Sequence, residues 1–242
     1  MSEIEETAKA TQEVAKTVSN ALDKAEKAGT FMTKYFDEPL TVLSGIWKDK
    51  LAYRRWENQV SFWTKANKKL KDLGLDNPQK ELPLKLGLPL LEAVSLEEDN
   101  KLQELWANLL VNATTNFSLE RSYISVLEQL SLLEAEILIK IYSNFQYERN
   151  SIYVYVIDTT HLPKLIKITK YIQDKEEILI NTIEEESNTI MKSDTHLALL
   201  NLARLQCIEG TRSTFGRSIF YTRVIPTLFG AKLYEAVKEP KK

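Results

Sequence analysis

Nucleophilic or metal chemistry in this chain would have to come from very few residues. Among 242 positions there are one cysteine, Cys207, and two histidines, His161 and His196. A serine, threonine or cysteine nucleophile needs a base beside it, most often histidine. Neither histidine has a telling context, and Cys207 ends a leucine-rich run, where a buried thiol behaves as a small inert hydrophobe. A single cysteine also excludes an intrachain disulfide framework and a Cys-cluster zinc site. The acidic runs Glu97-Glu98-Asp99 and Glu184-Glu185-Glu186 point around a helix instead of converging on an ion. There is no Gly-x4-Gly-Lys phosphate loop and no Gly-x-Gly-x-x-Gly turn. The residues predict no catalytic centre, no metal and no cofactor.

Basic side chains offer a different chemistry. The formal net charge is −2, but the charge is unevenly spread. Between Trp47 and Lys85 ten basic residues face five acidic ones, and between Arg204 and Lys232 five face Glu209 alone. Such runs usually form a solvated face. Arg204, Arg212, Arg217 and Arg223 are nevertheless the candidate contacts for phosphate or for a partner protein. Trp47, Trp56, Phe62 and Trp63 lie among Arg and Lys, as in proteins that stack on single-stranded nucleic acid. With Leu43, Ile46, Leu51 and Val60 they read better as anchors of a helical core.

The elements that would position these residues are mostly helical. Seven Gly and seven Pro are few turn signals for this length. Residues 4–28 repeat small or apolar side chains every three or four positions, which predicts a helix with a narrow alanine-rich stripe. A second helical region runs from Leu40 to Leu73 and ends at Gly74 and the Asp76-Asn77-Pro78 turn. Residues 82–94 are apolar and proline-broken, and read as a buried connection. Ser95 with Glu98 reads as a capping box opening a helix with Leu102, Leu105, Trp106, Leu109, Leu110 and Ala113 inward. Glu104, Asn108 and Asn112 line one side of it. A further helix is expected from Ser118 to Leu130, and a second capping box at Ser131 and Glu134 opens another. Residues 152–157 read as a strand, and 161–192 stay open between helix and strand.

Towards the C-terminus, Asp194 is expected to cap a helix running through Cys207, with Gly210 as its stop. A hairpin is expected in 211–225, and Pro226-Thr227 opens a last helix. That order is the one expected of a winged helix-turn-helix. Arg204 would then lie on the groove-facing helix and Arg212, Arg217 and Arg223 on or beside the wing. The helix around Leu197–Leu205 is too apolar to read bases; its outer face is expected to offer Asn201, Arg204 and Gln206.

Several stretches together resemble the abortive infection alpha family of bacterial proteins. They are Pro89-Leu90-Leu91-Glu92-Ala93-Val94-Ser95, Leu105-Trp106-Ala107-Asn108-Leu109-Leu110, and Leu127-Glu128-Gln129-Leu130-Ser131 running into Glu134-Ala135. Cys207-Ile208-Glu209 and Thr227-Leu228-Phe229-Gly230 continue the resemblance. It implies a role in defence against phage that ends in death or dormancy of the infected cell, and it implies no known catalytic residues. The motif residues Glu92, Trp106, Asn108, Leu109 and Leu110 are expected to identify a fold, not a reaction. Many toxic defence ribonucleases place an Arg a few residues before a catalytic His. No Arg lies within six residues before either histidine here.

The combined expectation is a mainly α-helical protein with a small β component. It divides into an amphipathic helix at 1–38, a helical domain at 39–130 and a C-terminal winged-helix-like module at 131–242. The acidic start, Met1-Ser2-Glu3-Ile4-Glu5-Glu6, does not read as a secretory signal, and the lone cysteine fits a reducing cytoplasm. The function expected is non-enzymatic: binding a phage or host component and arresting the cell. A DNA-binding winged-helix regulator is the alternative, and a membrane effector using residues 4–28 a third. The partner expected is a protein or phage component, with nucleic acid as the rival, no membrane, and self-association as an open question.

Overall fold

The computed structural model describes residues 50–115, 117–144, 153–160, 162–164, 166–172, 175–181, 192–212 and 219–241. The expected helix at 4–28, together with Trp47 and Arg217, lies outside them. The described part is mostly helical, with seven helices and a small antiparallel sheet. The chain divides into two compact units, Met1–Glu120 with Glu239–Lys242, and Arg121–Lys238.

In the first unit, helix α1 (Lys50–Asp72) buries Trp56, Phe62, Trp63, Ala66 and Leu70 along one face. Phe62 and Trp63 lie with ring centroids 5.0 Å apart. These aromatics are core anchors; of the basic residues around them Arg54, Lys68 and Lys71 are exposed, while Lys65 and Lys69 are half-buried. Gly74 ends the segment at φ +77°, a left-handed conformation open to glycine at no steric cost.

The proline-broken run is a helix, not a connection: α2 spans Leu84–Leu96 with Pro89 inside it. Pro83 precedes the first turn, where its missing N–H costs nothing. Pro89 removes one internal hydrogen bond, a loss of about 3 kcal/mol in an ordinary helix. Burial of Leu90, Leu91, Ala93 and Val94 offsets it.

Because α2 continues to Leu96, Ser95 has helical backbone and cannot cap the next helix; its hydroxyl donates to the Glu92 carbonyl at 2.7 Å. The cap of α3 (Asn100–Thr114) is Asp99. Its carboxylate accepts the N–H groups of Lys101 at 2.8 Å and Leu102 at 3.0 Å. Helix α3 packs against α1, and it is buried on nearly every side, with Trp106, Ala107, Leu109, Leu110 and Val111 at 0–1 % exposure.

The second unit begins with a short helix, α4 (Arg121–Leu127), shorter than the expected 118–130. The five side chains expected inward, Leu119, Tyr123, Val126, Leu127 and Leu130, are all buried. Helix α5 (Leu132–Tyr142) opens on the expected capping box of Ser131 and Glu134. Strands β1 (Tyr153–Asp158), β2 (Lys167–Ile172) and β3 (Lys175–Asn181) come next. The segment left open thus supplies two strands, while 182–191 falls outside the described residues.

Helix α6 (Ser193–Arg204), strands β4 (Ile208–Arg212) and β5 (Ile219–Pro226), and helix α7 (Leu228–Val237) complete the unit. All strand pairs are antiparallel, in the order β3-β2-β1-β5-β4. Two boundary expectations for α6 fail. Asp194 lies within the first turn and makes no capping bond, the N-cap being Lys192. Gly210 belongs to β4; the helix stops earlier, where Gln206 at φ +60° takes the left-handed position. The Cys207 N–H then bonds back to the Leu202 carbonyl at 2.9 Å, a Schellman closure.

Thr227-Leu228-Phe229-Gly230 acquires a structural meaning here. The Thr227 hydroxyl accepts the Gly230 N–H at 3.0 Å and donates to the Gln206 carbonyl at 2.7 Å. Buried Tyr142 donates its phenol to the Cys207 carbonyl and accepts the Thr227 N–H at 2.9 Å. A β-carbon on Gly230 would overlap both the Cys207 oxygen and the Tyr142 hydroxyl, so this helix end admits only glycine. The Phe229 ring meets Tyr123 at 5.7 Å. The motif locks α7 to the end of α6.

Candidate functional site

Of the arginines singled out by sequence, Arg204 and Arg223 are exposed. Arg212 closes β4, its backbone opposite Ile219 of β5, and Arg223 stands on β5 opposite Asp158 of β1. The β4–β5 hairpin therefore holds Arg212 and Arg223 on neighbouring strands.

Arg204 is engaged elsewhere. Its Nε donates to Asn201 Oδ1 at 2.9 Å and its terminal nitrogen to Gln129 Oε1 at 3.1 Å. Asn201 in turn donates to Glu134 Oε1 at 2.7 Å, and the other oxygen of Glu134 accepts the Ser131 N–H at 2.6 Å. Two of the three polar residues expected on the outer face of α6, Asn201 and Arg204, are thus hydrogen-bonded within the unit, while Gln206 is exposed. Asn201 is half-buried, a correction to its placement among the free side chains of that face.

Two leucines stand among the side chains that α6 turns outward, with Ser193, Asp194, His196 and Arg204. Its inner face is Thr195, Ala198, Leu199 and Leu202, leaving Leu197 at 64 % and Leu200 at 40 % exposure. His196 is exposed beside them, with its ring 6.1 Å from that of Tyr221 on β5. Arg223 lies two residues on, in the stretch of β5 where the register with β4 shifts. The surface is a leucine pair bordered by His196 and Tyr221. Sequence reasoning missed it because Leu197, Leu199, Leu200 and Leu202 alternate too quickly to reveal which two face out.

The motif residues divide between the core and the surface. Trp106, Leu109 and Leu110 are at 0–1 % exposure and Asn108 at 6 %, whereas Glu92 is exposed on α2. Glu104 pairs with Lys69 at 2.7 Å, joining α3 to α1. Lys65 donates to Ser61 Oγ at 2.8 Å and to Gln103 Oε1 at 3.0 Å, while Ser61 donates to the same oxygen at 2.7 Å. Burial lowers the Lys65 pKa, as a general base requires. The donor directions, however, are those of a clamp between α1 and α3; a nucleophilic serine would donate to the lysine.

The Cys207 thiol is pushed up to about 12 by burial, which keeps it protonated and unreactive. Among the described residues no three His, Cys, Asp or Glu side chains gather as metal ligands, and no helix is long and apolar enough to cross a membrane. An open depression of about 300 Å³ is lined by Glu136, Ile139, Lys140, Ser143, Pro163 and Lys164, where the Ser143 hydroxyl donates to the Lys140 carbonyl at 3.5 Å.

Comparison with protein families gives a match to abortive infection alpha over residues 56–237. The chain belongs to the abortive infection alpha family. The matched span takes in α1 from Trp56, the buried Trp106–Leu110 core and the Tyr142–Thr227–Gly230 lock. It ends at Val237, the last residue of α7. No curated protein and no solved structure matches the chain. The family's name points to abortive infection, and the core and the lock within the matched span are what hold each unit together.

Proposed function

We propose that this member of the abortive infection alpha family acts without catalysis of its own, by docking a phage or host protein on the outer face of α6 and arresting the infected cell. The observation that carries this reading is the pairing of two facts on one helix. Leu197 and Leu200 are exposed to solvent, and Asn201 and Arg204 are hydrogen-bonded to Glu134 and Gln129 of the same unit. Exposed apolar side chains rimmed by polar ones mark protein contacts. The basic excess from Arg204 to Lys232 suits a partner with an apolar centre and an acidic rim.

The second reading is a winged-helix DNA-binding regulator. It is supported by α6 followed by the β4–β5 hairpin, with β1 pairing β5, and by the exposed Arg223. DNA binding predicts a steep loss of affinity with salt, abolished when Arg212, Arg217 and Arg223 become Glu.

A phage challenge of bacteria expressing the chain tests the proposal. Protection at a low phage-to-cell ratio with collapse at a high ratio is the signature of cells that stop or die when infected. Equal protection at both ratios would contradict it. So would a defence that the triple arginine reversal removes in step with salt-dependent DNA binding.

A further inference from the structure

We infer that two copies of this chain meet through the outer face of α2, as an antiparallel pair about a two-fold axis. One arc of the helix buries Gly87, Leu90, Leu91, Ala93 and Val94. The opposite arc carries Leu84, Leu88, Glu92 and Leu96 in steps of four, with Lys85 beside them. The three leucines are 39 %, 48 % and 55 % exposed, in a line of about 18 Å. The solvent face of a helix is ordinarily polar. Among the described residues only Leu197 and Leu200, in the other unit, are large apolar side chains exposed to a similar degree.

The charges on the stripe select the occupant. Lys85 and Glu92 are exposed, opposite in sign and two turns apart, and neither has an ion-pair partner among the described residues. A face built in this way is complementary to itself under a two-fold rotation. With the axis between Leu88 and Glu92, Leu84 of each copy lies against Leu96 of the other. Leu88 of each then lies over the stem of Glu92 of the other, and Lys85, about 4.5 Å away along the axis, reaches that carboxylate, so the ion pair forms twice. A parallel arrangement would set lysine on lysine and glutamate on glutamate. One 13-residue helix offers less than the roughly 800 Å² per partner of a standard interface. The pair is therefore weak and concentration-dependent.

Sedimentation of the full chain from low micromolar to near millimolar concentration tests this directly. The average mass should climb from 27.9 kDa toward twice that value. Leu88→Glu, with an unchanged far-UV circular dichroism spectrum, should hold it at the monomer. Lys85→Glu and Glu92→Lys should each weaken association several-fold, and the double reversal should restore it. A monomer at every concentration overturns the inference. A dimer indifferent to Leu88→Glu, or a double reversal no better than the single changes, also overturns it. The docking reading of α6 concerns the other unit and stands or falls separately.

Discussion

Helices α3 and α6 are both leucine-rich and of similar length, yet they serve opposite ends. Helix α3 buries eleven of its fifteen residues, including Gln103 and Asn108, and Gln103 and Glu104 join it to α1. Helix α6 buries four of twelve and leaves two leucines in water. Composition alone does not separate them. The difference lies in where the polar groups go. In α3 Gln103 and Glu104 are drawn onto α1; in α6 Asn201 and Arg204 bond sideways to Glu134 and Gln129, and Leu197 and Leu200 stand exposed beside them. A helix held in that way presents a surface that is costly unless something covers it.

The change that should break this contrast most severely is Trp106→Ala. Removing an indole at 1 % exposure should cost about 3–5 kcal/mol and abolish protection by unfolding the first unit. A folded Trp106→Ala protein that no longer protects would make α3 functional and not merely structural. Next comes Gly230→Ala. The new methyl group overlaps Tyr142 and Cys207, for an expected loss of roughly 1–3 kcal/mol or more, read in a denaturant melt. It tests whether the Thr227–Gly230 motif fixes the end of α6.

Caps sharpen the contrast at a smaller scale. Ser131→Ala and Asp99→Ala should each cost about 1 kcal/mol. Asp194→Ala, which caps nothing, should lose only a few tenths from the first-turn dipole. Equal losses at all three positions would contradict the cap assignments.

The mildest effect depends on pH. Burial raises the Glu97 carboxyl above its ordinary 4.5, partly opposed by the Asp99 N–H it accepts at 2.9 Å. The folded state therefore holds this proton more tightly than the unfolded one. Stability from this group is full below pH 4.5 and declines as pH rises from there through the folded value. Glu97→Gln keeps the acceptor oxygen and carries no charge. It should melt slightly higher than the parent at pH 7, with the gain vanishing below about pH 4. A variant less stable at pH 7 would contradict the sign.

Much of the architecture was legible wherever one signal dominated. The i, i+3, i+4 leucines and Trp106 marked α3, and Ser131 with Glu134 marked the start of α5, because both patterns are local. Three features were not legible, each for a tertiary reason. Pro83 and Pro89 read as breaks, but the apolar residues between and after them gain more from burial than Pro89 costs. Lys167–Asn181 contains the helix-favouring Lys175-Glu176-Glu177, and becomes a hairpin through pairing with β1. Gln206 replaced glycine at a left-handed cap, so the stop of α6 carried no glycine signal. For the candidate site, the arginines were visible as charge. The leucines were not visible as surface, since exposure is decided by what Ala198, Leu199 and Leu202 pack against.

The proposal that exposed Leu197 and Leu200 dock the partner, while the arginines do not read DNA, is open to one decisive test. It is phage protection at low phage-to-cell ratio by the Leu197→Glu/Leu200→Glu double variant, with its melting temperature taken alongside. The expected result is a protein as stable as the parent, since both side chains already face water, that no longer protects the culture. Full protection by the folded double variant would contradict it.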